Sequence, residues 1–161
     1  MDQLGEIRTR IGATTADSFA RVRVGRLVEV RAGHLASLPD VESLIAAVFA
    51  AIRGVGRGAV ICADYRKAKP VTGEVAGAWS HAMRRTNESI LRSALLLNPS
   101  NTMFNLQVAR IVHCAASEHR RLFKDAKELH DWLEGILTDA ERQALRAFLS
   151  SGSSEEHAKT C

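Results

Sequence analysis

No stretch of this chain limits its fold as tightly as residues 89–116, SILRSALLLNPSNTMFNLQVARIVHCAA, where apolar residues are densest. From Ile90 to Leu97 the apolar run is nearly continuous and of strand length, the pattern of a strand covered on both faces. Asn98-Pro99-Ser100-Asn101 then stops the strand, and Ser100 or Asn101 is placed to cap a following helix. In that helix Met103, Phe104, Val108, Ile111, Val112 and Ala115 recur at helical spacing, while Leu106 and Ala109 widen the stripe beyond that of a normal surface helix. A helix of this kind is either deeply buried or half of an interface.

The rest of the chain alternates around this unit. From Ser18, Ala20, Val22 and Val24 alternate with Phe19, Arg21 and Arg23; after Gly25-Arg26, Val28 and Val30 continue the period of two, predicting a β-hairpin. Ser37-Leu38-Pro39-Asp40 opens a helix with Val41, Leu44, Ile45, Val48 and Ile52 on its buried stripe and Gly54 at its end. Ala59-Val60-Ile61-Cys62-Ala63 has no polar face and reads as the central strand, with Asp64 at its carboxyl end. Thr72 is the best cap for the next helix, which turns Val75, Trp79, Ala82 and Met83 inward. Residues 119–123 form a short edge strand, Asp125 starts another helix, and Thr138-Asp139-Ala140-Glu141 is a consensus capping box for a last one carrying Leu145, Phe148 and Leu149. The expected fold is α/β: a single mixed sheet of about five strands, an N-terminal antiparallel hairpin followed by β-α-β units, with helices packed on it. Residues 18–149 make the domain, residues 1–17 a loose lead-in, and residues 150–161 a disordered polar tail.

Composition excludes several classes. At 161 residues with 46% hydrophobic and 25% charged residues, the chain suits one soluble domain with a proper core. Its net charge of +4 is scattered instead of gathered into an arm, and only five Phe, two Trp and one Tyr are available to stack on bases, so nucleic acid is disfavoured as a partner. Neither a membrane span nor a signal-type apolar core is present, and a cytoplasmic location follows as the default expectation. Cys62, Cys114 and Cys161 lack CxxC spacing; Cys62 and Cys114 read as buried thiols.

No catalytic constellation survives inspection, and the chain is expected not to be an enzyme. Tyr65 and Lys69 match a YxxxK spacing, but Pro70 follows at once. Gly54, Gly56 and Gly58 precede a strand, not a helix, so no pyrophosphate would meet a helix N-terminus. The six histidines form no HxxxH or HExxH pair, and neither a metal nor another cofactor is expected. Asp64 lies where open α/β sheets place ligand contacts, although a carboxylate there also serves structure by pairing with Arg66 or Lys67. Arg84, Arg85, Arg92, Arg110, Arg120 and Arg121 have the right charge to converge on an acidic partner, or to be spread over a solvated face.

The order of elements and the phrases ICADYR, MRRTNESILRSALLL, NLQVARIVHCA and RRLFKDAKELHDWL resemble the STAS-like domains of bacterial anti-sigma-factor antagonists, in the version shared with STAS/CRAL-TRIO-like proteins. The resemblance spans roughly residues 19–137. It implies a regulatory or scaffold module working through protein contacts, with the relatives that bind lipid implying a small apolar or amphiphilic ligand as the alternative. In signalling members a serine or threonine in an Asp-Ser-Ser-Gly context starts the helix after the central strand; here Lys69-Pro70-Val71-Thr72-Gly73 occupies that place, and Thr72-Gly73 alone matches. The candidate partner surface is therefore Asp64, Thr72 and Gly73 with Ser100 and Asn101 of the neighbouring turn, and a homodimer through the over-apolar helix is the alternative to its burial. Capping by itself also accounts for Thr72.

Overall fold

The structure, a computed structural model, describes residues 17–157; the expected lead-in, apart from Asp17, and residues 158–161 lie outside the described residues. The period-two segment forms β1 (Phe19–Val24) and β2 (Leu27–Arg31), paired antiparallel across Gly25-Arg26. β3 (Ala59–Asp64), β4 (Ile90–Leu96) and β5 (Arg120–Phe123) follow in parallel, giving one five-stranded sheet in the order β1-β2-β3-β4-β5. The central strand is β3, as the apolar run predicts.

Helices cover both faces. On one side α1 (Leu38–Val55), α2 (Gly73–Thr86) and α3 (Thr102–Ala115) pack on Val28, Val30, Ala59, Ile61, Ala63 and Leu95. On the other, α4 (Ala126–Glu134) and α5 (Asp139–His157) bury Leu129, Leu133, Leu145 and Phe148 against Leu27, Val60, Cys62 and Leu96. Odd and even positions of β3 thus enter two different apolar layers, which is why the strand shows no polar alternation. Each fully buried leucine of the second layer stabilises the fold by about 1.5–3 kcal/mol.

The helix starts follow the capping residues read from sequence. Ser37 and Asp40 make a reciprocal capping box, Thr72 Oγ1 accepts from Val75 N at 3.3 Å, and Asp125 Oδ1 accepts from Glu128 N at 3.0 Å. Three local readings change. α1 ends at Gly56, whose φ of 89° breaks the helix, while Gly54 lies within its last turn. Asn101 stands at the N-cap of α3 without capping it, because its amide instead donates to the Ala68 carbonyl at 2.8 Å. And α5 continues to His157, so the first eight residues read as a polar tail prolong a helix.

The box at the start of α5 does more than cap. Thr138 N donates to Glu141 Oε2 at 2.9 Å and Glu141 N to Thr138 Oγ1 at 3.2 Å. The same carboxylate accepts from Arg26 N at 2.9 Å and pairs with Arg26 Nη2 at 3.2 Å, pinning the hairpin turn to α5. A Cβ on Gly25 would collide with Glu141 Oε1, so the turn glycine is required by this contact as well as by its φ of 56°. Burial, the largest single influence on Glu141, opposes ionisation; the Arg26 and Thr138 amides and the Arg26 guanidinium together outweigh it and hold the carboxyl below its usual range. A depressed folded pKa contributes stability that is complete above the unfolded value, roughly 4.3, and is lost as pH falls through the folded value. Glu141→Gln is accordingly expected to cost about 2–4 kcal/mol in urea unfolding at pH 7, with the gap to the wild type narrowing in acid; a gap that is constant down to pH 3 would show that ionised Glu141 is not what holds the turn.

Candidate functional site

The carboxyl ends of β3 and β4 are where an open α/β sheet presents ligand contacts, and the predicted site residues lie there. Asp64 is buried and fully engaged. Arg66 holds it bidentately, Nε to Oδ1 and Nη2 to Oδ2 both at 2.9 Å, and Arg31 Nη2 lies 3.6 Å from Oδ2. These guanidiniums also reach α5: Arg66 Nη2 donates to the Leu149 carbonyl at 3.0 Å and Arg31 Nη2 to Ser151 Oγ at 3.1 Å. α5 passes so close that a Cβ on Gly152 would fall on Arg66 Nη2 and Asp64 Oδ2. The pairing of Asp64 with Arg66 is the structural role that the sequence offers for it; of the α5 residues that cover it, Leu149 belongs to the expected last helix, and Ser151 and Gly152 to the segment expected to be a tail.

Thr72, Gly73 and Ser100 are exposed and Asn101 half-buried. The two loops that carry them are tied together by the Asn101–Ala68 bond and by Gln107 of α3, which accepts from Val71 N at 2.9 Å and donates to Val71 O at 2.8 Å. Gln107 was not visible as a site residue: its role depends on two backbone atoms 36 positions away. Tyr65 and Lys69, one helical turn apart in a YxxxK reading, separate into the core and the solvent.

The wide apolar stripe of α3 is split between core and surface. Phe104, Val108, Ile111 and Ala115 are buried, whereas Met103 and Leu106 are 67% and 69% exposed. Leu106 borders a groove of about 440 Å³ between α3 and β5, the sheet edge, with Leu97, Pro99, Ala109, Leu122 and Phe123 among its walls. Asn105 lines it too; its Nδ2 donates to the Asn98 carbonyl at 2.8 Å, and its buried Oδ1 has no donor among the described residues.

A second space is internal. Between α1, α2 and the sheet lies an apolar cavity of about 50 Å³, several times the roughly 10–15 Å³ that one water centre needs. Tyr65 and Trp79 line it, packed edge to face at 4.9 Å, and at one side stand Thr86, Ser93 and Arg120. Arg120 is 9% exposed, and burial pushes its guanidinium down to about 10. Its hydrogen bonds go to Asn87 Oδ1, Ser93 Oγ, the Met83 carbonyl and Thr86 Oγ1, all neutral. The arginines that the sequence allowed to converge are instead divided: Arg92 and Arg121 stack on Trp132 beneath the sheet, Arg84 donates to the Cys114 carbonyl, and Arg120 enters the opposite layer.

Among the described residues His130, Asp131 and Glu134 bring three ligand-type atoms within 4.8 Å of one another on α4. Asp131 is already held by Lys127 at 2.7 Å, and His130 Nδ1 faces Glu134 at 3.5 Å, an arrangement that a charged surface helix forms without a metal. Cys62 is buried, and burial, with Asp64 and Glu29 adding to it, pushes its thiol up and away from nucleophilic chemistry. Cys114, expected inside, is exposed on the outer side of α3. No helix among the described residues is long and apolar enough to cross a membrane.

No protein-family model and no curated protein matches the sequence. Among solved structures the fold matches the crystal structure of an uncharacterised DUF3478-family protein with a SpoIIAA-like fold from Shewanella loihica PV-4. The TM-score is 0.50 at 16% identity, over 71% of this chain and 91% of that one. The chain has a SpoIIAA-like, and so STAS-like, fold. At that identity the likeness is one of fold, so the site must be argued from its own residues.

Gly152→Ala tests the clamp at Asp64. In an open helix the change would stabilise by up to about 1 kcal/mol; here the added methyl meets Asp64 and Arg66, and a loss of about 1–3 kcal/mol in thermal or urea unfolding is expected. A stabilised variant would show that α5 does not press on this carboxylate.

Proposed function

We propose that this chain is a non-catalytic regulatory module of bacterial signalling, acting in the cytoplasm through contact with another protein. The observation that carries the reading is the groove between α3 and β5. Leu106 on its wall and Met103, one turn away on α3, are exposed, and Asn105, which also lines it, has a buried amide oxygen with no donor among the described residues. A partner chain that inserts an apolar side chain and offers one N–H would satisfy both at once. The groove adjoins the loop that holds Ser100 and Asn101, which Asn101 links to the loop preceding Thr72. A negative charge placed at Thr72 would meet the N-terminus of α2 and alter the face presented to that partner. The engaged state of Asp64 and the neutral thiol of Cys62 favour binding over chemistry at this end of the sheet.

A second reading, a small apolar or amphiphilic ligand held between helices and sheet, is favoured by the internal cavity.

Two experiments address the first reading. Met103→Glu with Leu106→Glu should leave the melting curve nearly unchanged, since both side chains are exposed, while abolishing capture of the protein that the wild type retains from extracts of its native host. Sedimentation of both proteins identifies a second copy of the chain if that is what the face binds. Capture of the same protein by both would discard the groove. Thr72→Glu should change binding of that partner without changing folding, and unchanged binding would reject Thr72 as a switch.

A further inference from the structure

Arg120 sets the electrostatics of the cavity between α1, α2 and the sheet, and among the described residues none of its hydrogen-bond acceptors is a carboxylate. A buried guanidinium ordinarily meets a carboxylate, because leaving an ion unpaired in a low-dielectric interior costs several kcal/mol. All four acceptors around Arg120 are neutral. The Met83 carbonyl at the end of α2 offers the partial negative charge of a helix C-terminus, roughly half an elementary charge, which is incomplete compensation. Tyr65, the other titratable group beside it, is not an anion: burial pushes its phenol up, and Arg120 and the hydrogen bond from Trp79 offset that only in part.

The donors are also in surplus. A guanidinium has five N–H groups, and the four bonds of Arg120 leave one Nη1 proton without an acceptor among the described residues. Ser93 Oγ accepts from Nη1 at 3.3 Å, and its own hydroxyl proton has no acceptor among them either. Two adjacent donors therefore stand at the polar side of a cavity whose remaining walls include Val30, Leu44, Val48, Trp79 and Leu95. Its rim residues Phe49 and Thr86 are shared with an outer recess of about 180 Å³ that includes Arg53 and Arg85, with Arg85 lying over the Phe49 ring at 5.1 Å. Positive charge thus marks the approach as well as the interior, which draws anions inward.

We propose that this cavity binds a small carboxylate with a short apolar tail, its two oxygens taken by Arg120 Nη1 and Ser93 Oγ and its tail lying against Trp79 and Leu95. The proposal rests on the reading of an internal ligand and specifies the ligand's headgroup. It supplies the missing counter-charge, uses both idle donors, and fills the apolar remainder of the space. A neutral alcohol would do the last alone, and an amine would add a second cation.

Isothermal titration of the full chain with propionate, 1-propanol and propylamine, sized to a cavity of about 50 Å³, tests the assignment. Propionate is expected to bind at least tenfold more tightly than 1-propanol, with propylamine weakest. Arg120→Met should bring propionate and 1-propanol within about threefold of each other. Because Arg120 also anchors the end of α2, Ser93→Ala provides a second variant that keeps the charge; it should lower propionate affinity several-fold and spare 1-propanol. Equal binding of propionate and 1-propanol to the wild type, or a preference for propylamine, would overturn the carboxylate while leaving an internal ligand standing. Binding of none of the three would overturn both.

Discussion

The sheet has helices on both of its faces, and every charge that enters either layer must find its compensation inside the protein. Glu29, Asp64 and Glu141 are each buried and each meets arginine: Arg21 for Glu29, Arg31 and Arg66 for Asp64, Arg26 for Glu141. Removing one member of such a pair leaves the other stranded, so the pairs specify how the layers meet even where their net contribution to stability is small. Arg120 is the exception, buried among neutral acceptors, and an exception of that kind is where a binding function is best sought.

α5 depends on the same constraint. Its first turn clasps the hairpin through Glu141 and Arg26, and its later turns meet Arg66 and Arg31 at the far end of β3 and β2. Eleven residues from Glu141 to Gly152 rise about 16 Å at 1.5 Å per residue, which matches the roughly 17 Å of a five-residue strand. The helix thus spans the sheet from end to end and is fastened at both. Gly152 allows the second fastening, because no larger residue fits between α5 and the Asp64–Arg66 pair.

The two candidate binding spaces differ in character. The groove beside β5 is open, lined by side chains from α3 and the sheet edge with Lys124 and, from α4, Glu128 at its margin, and suited to a protein surface. The cavity between α1, α2 and the sheet is small, open at the rim formed by Phe49 and Thr86, and polar on one side only. The cavity lies on the α1–α3 side and the groove at the sheet edge between α3 and the start of α4, because α4 and α5 fill the other layer with leucines and phenylalanines. A STAS-like fold accommodates both kinds of site without itself naming an activity.

Periodicity and capping are local, so the sequence by itself determined the hairpin, the doubly buried strands β3 and β4, the order of helices, and the caps at Ser37, Thr72, Asp125 and Thr138. It also placed Asp64 at the carboxyl end of the central strand and offered Arg66 or Lys67 as its partner, since all three are neighbours in the chain; the structure selects Arg66 for the bidentate pair. What only the tertiary structure decided are pairings between distant residues and the side on which a helix is covered. Glu141 with Arg26 lies 115 residues apart, Gln107 with Val71 lies 36 apart, and neither has a local signal. The exposure of Cys114, Met103 and Leu106 follows from where α3 meets its neighbours, which a stripe of apolar residues cannot specify once it is wider than one face. The helical course of residues 150–153 runs against the weak propensity of its serines and glycine; the bonds from Arg66 to the Leu149 carbonyl and from Arg31 to Ser151 hold the helix where that stretch begins, a support that no local signal encodes.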